Sequence, residues 1–182
     1  AVVVSTVDTR RRLPENPVRS ITSGCGRGVT FISPYHRDRL PPLTEAEPPI
    51  HPEAILARMK DLQGVSERFR LTGAVHSAAL ALHDRIIKVA DDIGRHNAVD
   101  KVIGWALRSL WPLPPGAMLL STGRLSSEIV VKSVRARVSV LVSHSAPTLG
   151  AVQLAHDLGL TLIGFARGSR CNVYTHTRRI AL

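Results

Sequence analysis

The residues able to do chemistry come in short clusters. Gly24-Cys25-Gly26-Arg27-Gly28 sets a cysteine between glycines and beside a guanidinium. Glycine flanks place a thiol on an open loop, not in a core strand or helix. A nearby cation favours the thiolate, the form that attacks sulfur or carbon. The bland alternative is a small buried hydrophobe, and the flanks weigh against it. A phosphate-cradling loop of Walker type is excluded, because no Lys-Ser/Thr follows the glycines. Asp91-Asp92-Ile93-Gly94-Arg95-His96-Asn97 then packs acid, guanidinium, imidazole and amide into seven residues. Three further polar corners follow: Gly123-Arg124, Ser143-His144-Ser145 and Phe165-Ala166-Arg167-Gly168-Ser169-Arg170.

The segments around these corners say how they are held. Ile86 to Ala90 is an apolar run that reads as a buried strand. Ala98, Val102, Ala106 and Leu110 recur every fourth residue and predict a helix over about 95–110. Gly94 lets the chain turn between them, with Asp92 or Asn97 as a cap. The pattern repeats: strand 117–121, a helix capped by Ser126 or Ser127, strand 138–142, helix 148–158, strand 160–164 and a last strand 171–175. Upstream, 71–82 leads through His83-Asp84-Arg85 as a hairpin into strand 86–90. Pro52 to Phe69 reads as a helix with an Ile55, Met59, Leu62 stripe. His76 reads as a core histidine, with a site role only through its neighbours. Right-handed crossovers would make the strands parallel and put helices on both faces. Ligands of such sheets bind beyond the carboxyl ends of the strands. Arg95, Arg124, Arg167 and Arg170 are thus expected to converge on one rim as an anion site.

Composition narrows the class. The 182 residues carry 44% hydrophobic and 21% charged side chains, with a net charge of +10 and a pI near 10.9. That surplus favours an anionic partner. Aromatics make up 4%, which argues against single-strand nucleic-acid stacking platforms. Charges interrupt every apolar stretch, so no membrane span is expected. Two cysteines, Cys25 and Cys171, cannot build a zinc site, and no metal held by side chains is expected. Without a disulfide framework the chain reads as cytoplasmic. The first residues lack the charged region of a signal peptide, and without Met they are expected to be a cut end. Two parts are expected: residues 1–50, with a basic lead, the Cys loop and a Pro-rich linker, and a core domain over 51–182.

In order, Thr72-Gly73-x-x-His76, the block Asp92 to Lys101, Gly123-Arg124-x-Ser126-x-Glu128, Ser143-x-Ser145-Ala146-Pro147-Thr148 and Leu160 to Arg167 resemble the FdhD family of sulfur carriers required for formate dehydrogenase activity. The resemblance implies a three-layer α/β/α fold with a cytidine-deaminase-like mixed sheet, and a homodimer. It implies that sulfur arrives from a cysteine desulfurase as a persulfide on Cys25. The sulfur then passes to Mo-bis(molybdopterin guanine dinucleotide), a bound client, on its way into formate dehydrogenase. Phe165, Ala166, Arg167, Gly168, Ser169 and Arg170 match the family's cofactor-binding segment. Gly94, Arg95, His96, Asn97, Gly123 and Arg124 are expected to complete that site. The chain departs from the family pattern at Gly28, which stands where a second loop cysteine is common, and at Ala74, Asp91 and Arg137. A single thiol still suffices, since one sulfur can carry the persulfide and be attacked by the acceptor.

Two other classes compete. A deaminase on the same fold needs a Pro-Cys-x-x-Cys zinc motif that is missing here. A basic nucleotide- or RNA-binding module without sulfur chemistry is supported by the charge and weakened by the scarce aromatics.

Overall fold

The computed structural model describes residues 40–43, 49–66 and 71–181. Cys25 and residues 165–170 were both singled out above; only the second set lies within the described residues. From Leu40 onward the chain forms one compact unit, and Leu43 and Ile50, upstream of the boundary expected at 51, are buried in it.

Helix α1 is Pro52–Val65, with proline in the first turn, where its missing N–H costs nothing. Ile55, Met59 and Leu62 are its buried stripe. The helix ends at Val65, with the Ser66 N–H bonded to Leu62 O, and Phe69, the end expected for it, lies outside the described residues. Strand β1 is His76–Ala81 and β2 is Ile86–Asp92. Leu71 and Thr72 are helical and the chain turns at Gly73 (φ 60°), with the Thr72 hydroxyl accepting from Ala74 N at 3.2 Å, so the strand starts at His76 and not at 71. Then come α2 (Arg95–Ser109), β3 (Met118–Ser121), α3 (Ser127–Arg135), β4 (Val140–Ser143), α4 (Leu149–Asp157), β5 (Thr161–Arg167) and β6 (Arg170–Val173).

The described strands form one mixed sheet in the order β2-β1-β3-β4-β5-β6. β3, β4 and β5 are parallel neighbours, as the repeated strand–helix pattern predicts. β2 runs in their direction, as expected, but it is not hydrogen-bonded to them, because β1 stands between it and β3. The hairpin at 83–85 folds β1 antiparallel onto β2, and β1 takes β3 antiparallel on its other edge. Two reversals leave β2 pointing the same way as β3, β4 and β5.

Every connection from β2 to β5 steps the same way across the sheet. Crossovers of one hand therefore put α2, α3 and α4 on one face, and the other face is left to α1. The two cores follow strand alternation. Ala78, Leu80, Leu119, Leu141 and Leu162 pack under α2, α3 and α4. Ala79, Ala81, Met118, Leu120, Val142 and Ile163 pack under α1. The alanines of β1 keep that strand thin, so α1 and α2 both close against it. No described helix is long and apolar enough to cross a membrane.

Candidate functional site

Because β2, β3, β4 and β5 run one way, their carboxyl ends share a rim, and β1 begins there, with His76 opposite Asp92. All four polar corners lie on this rim.

The first corner is built by Asp92. Its Oδ1 accepts from Gly94 N at 2.8 Å and from Asn97 Nδ2 at 3.1 Å, and its Oδ2 pairs with Lys101 Nζ at 2.7 Å. Lys101 also donates to Asp91 O at 2.9 Å. Lys101, then the Gly94 N–H, then Asn97 pull the Asp92 carboxyl down to a pKa of about 2. Asp92 thus bonds the N-cap residue Gly94 and does not cap the helix N–H groups itself. Lys101, one turn and a half into α2, staples the helix back onto β2.

Arg95 lies buried against the second corner. A Cβ on Gly123 would stand 2.9 Å from Arg95 Cβ and 3.2 Å from His76 Nδ1, so only glycine lets β3 exit beneath these two side chains. Burial, then the charges of Arg95 and Arg124, push the His76 imidazole below its usual range. His96 turns the other way. Its Nε2 is 2.9 Å from Glu128 Oε2 and 3.0 Å from Ser126 Oγ, tying α2 to the start of α3. Burial lowers the His96 pKa, against the upward pull of Glu128. Ser126 is the N-cap residue of α3, as expected, but its side chain makes no cap bond; it serves His96 instead.

The fourth corner is an antiparallel β5–β6 hairpin turning at Gly168-Ser169, with Arg167 opposite Arg170. Phe165 has a left-handed backbone (φ 51°), at a break in the β5–β6 register. Its ring lies under the Arg167 guanidinium, 5.5 Å away. Phe165, Arg167, Arg170 and Asn172 line a cavity of about 290 Å³. Strand alternation puts Arg170 and Asn172 on one face, and Cys171 on the other, packed toward the α1 core. Burial raises the Cys171 thiol pKa, so this cysteine is a poor nucleophile.

The four arginines therefore share a rim but not one cavity. Arg167 and Arg170 line the hairpin cavity, Arg124 is exposed beside His76, and Arg95 is buried. Asn172 was missed in the sequence, although its spacing of two from Arg170 pointed to the same strand face. Ser143 and Glu128 stand in the motifs quoted above, but nothing in their spacing said that Ser143 would bond the Gly123 carbonyl or Glu128 would meet His96. Cys25 lies outside the described residues. Among those described, no three His, Cys, Asp or Glu side chains are grouped as metal ligands.

Residues 1–181 match the model of the FdhD/NarQ family. The chain belongs to that family. Relatives named sulfur carrier protein FdhD include those of Bacillus licheniformis (41% identical, over 97% of this chain and 67% of the relative) and Bacillus subtilis (42%, over 89% and 61%). Among solved structures, a putative formate dehydrogenase accessory protein from Desulfotalea psychrophila superposes with a TM-score of 0.73 at 29% identity, over 82% of this chain and 63% of that one. The chain thus spans about two thirds of the length of these FdhD/NarQ relatives. Its rim carries the hairpin cavity at one end and the His76–Arg124 corner nearer the other.

Proposed function

We propose that this chain is a cytoplasmic, homodimeric sulfur carrier serving a formate dehydrogenase. It takes sulfur from a cysteine desulfurase on Cys25 and delivers it to the Mo-bis(molybdopterin guanine dinucleotide) client. The observation that carries the client-binding half is the hairpin cavity. The Phe165 ring offers a stacking face, the Asn172 amide a donor and an acceptor for a base edge, and Arg167 and Arg170 fixed positive charge for phosphate. At about 290 Å³ it sits at the lower end of ligand pockets, roughly 300–1,000 Å³, room for one nucleobase end of a larger molecule. The names of the relatives support the sulfur half.

Loading is a thiol–persulfide exchange without net redox change. The Cys25 thiolate attacks the outer sulfur of the desulfurase persulfide, a new S–S bond forms, the donor's S–S bond breaks, and the donor leaves as thiolate. Delivery as sulfide needs two electrons. An external thiol supplies them by closing a disulfide on Cys25, since Gly28 stands where a second loop thiol is common.

The test is to incubate the protein with a desulfurase and sulfur-labelled cysteine and weigh it by mass spectrometry. One added sulfur on Cys25 is expected, absent in Cys25→Ser, with formate dehydrogenase activation lost in the same variant. Label uptake by Cys25→Ser would defeat the carrier reading. Guanosine diphosphate binding with no sulfur uptake would favour the plain nucleotide-binding module instead.

A further inference from the structure

We propose that Ser143 is a positioning residue for the ligand. Its hydroxyl holds the Gly123–Arg124 peptide so that Arg124 presents its main-chain N–H and its guanidinium together to a phosphate. The inference rests on the reading of the rim as a nucleotide site and adds a phosphate subsite to it, away from the hairpin cavity.

Ser143 ends β4 and is fully buried. Its Oγ donates to Gly123 O at 2.6 Å and accepts from Ser145 N at 2.9 Å, so the one hydroxyl is used as donor and acceptor at once. In a trans peptide the N–H points opposite to the C=O. With the Gly123 carbonyl held on buried Ser143, the Arg124 N–H is aimed away from Ser143, and the Arg124 residue is exposed. A rotation of that peptide is open to glycine more than to any other residue, and this is the freedom that the Ser143 bond removes. Gly123 cannot be replaced to stiffen the corner, because a Cβ would run into Arg95 and His76.

The second bond of the same hydroxyl reaches the other subsite. Ser145, fixed through its N–H by Ser143, accepts from Phe165 N at 3.1 Å. Ser143 thereby links the β3 corner to the residue that walls the cavity on β5. Neighbouring strands lie about 4.8 Å apart, so β3 and β5, separated by β4, stand roughly 10 Å apart. That separation suits a nucleotide whose base sits at Phe165 and whose outer phosphate reaches Arg124. The backbone around the loop is held independently by His144 N to Ser121 O and Leu125 N to Ala146 O, both at 3.1 Å. Removing the hydroxyl should therefore misaim one peptide without unfolding the corner.

The test compares guanosine and guanosine diphosphate binding by calorimetry in the unaltered protein, Ser143→Ala and Ser143→Thr, with melting curves for all three. A hydrogen bond to a charged group is worth about tenfold or more in affinity. Ser143→Ala should lose about that factor for the diphosphate and distinctly less for guanosine, which meets Ser143 only indirectly through Ser145 and Phe165, and Ser143→Thr, which retains the hydroxyl, should restore the diphosphate. Equal losses for both ligands, or none for the diphosphate, would overturn the positioning role. If the unaltered protein binds neither ligand, the nucleotide reading itself has failed and takes this inference with it.

Discussion

Gly164→Ala puts the design of the hairpin cavity to a direct test. Gly164 lies in β5, just before Phe165. A methyl carbon there would stand 2.8 Å from Pro147 Cδ, 3.1 Å from Ser145 O and 3.1 Å from Tyr174 Cε2. Carbon pairs settle at about 3.5–4.0 Å, so the proline must retreat by roughly 0.7–1.2 Å. It has little room to do so. Pro147 is bridged to Leu125, and the Ser145 carbonyl is spent on Phe165 N. Overpacking of this kind costs about 1–3 kcal/mol. Losing glycine's unfolded-state freedom returns about 0.4–1 kcal/mol. The net loss is about 0–2.6 kcal/mol with a midpoint of about 1.3, which at that midpoint is a fall in melting temperature of roughly 3–5 °C for a chain of this size.

The same push falls on Phe165, so affinity for guanosine diphosphate should drop with stability. Gly104→Ala is the control. Gly104 lies inside α2 with nothing within 4 Å of its would-be Cβ, so alanine there should stabilise by about 0.5–1 kcal/mol and leave binding alone. Scanning calorimetry and a diphosphate titration read both variants. An unchanged melting point and affinity in Gly164→Ala, or an equal fall in Gly104→Ala, would refute the close-approach reasoning.

Other outcomes follow from the titrating groups. With its carboxyl held at about 2, below an ordinary value near 4, Asp92 adds stability that is complete above about pH 4 and disappears as the pH falls through 2. Urea unfolding between pH 2 and 5 should show a shallower slope in Asp92→Asn, and an unchanged slope would sink the assignment. His76 is depressed by burial and then by Arg95 and Arg124, so its stabilising contribution is complete above its ordinary value of about 6.5 and fades as pH falls through the depressed value. A phosphate that offsets those arginines lifts the imidazole back, so diphosphate binding near pH 6 should take up protons. Calorimetry in buffers of different ionisation enthalpy measures this, and the uptake should vanish in His76→Gln.

The layers of the fold were legible because each rests on a local period: four-residue spacing under α2, runs of Val and Leu in β3 and β4, and a stripe in α1. Strand order was not, since nothing in Ala78 to Ala81 says that this strand enters between β2 and β3; that follows from a hairpin and a sheet edge far apart in the chain. The site divides in the same way. Asp92 to Lys101 is the most distinctive stretch of the sequence, yet Asn97 and Lys101 both bond the Asp92 carboxylate, and His96 bonds the start of α3. A corner that needs four polar side chains in fixed register tolerates few alternatives, and this is why it stands out as a motif. The cavity needs only an aromatic, two arginines and an amide on one hairpin face, a pattern that short strands reach in many ways. Distinctiveness in this chain therefore tracks how tightly the scaffold is bonded to itself. The residues that line the hairpin cavity should accept substitutions that Asp92, Gly123 and Lys101 refuse.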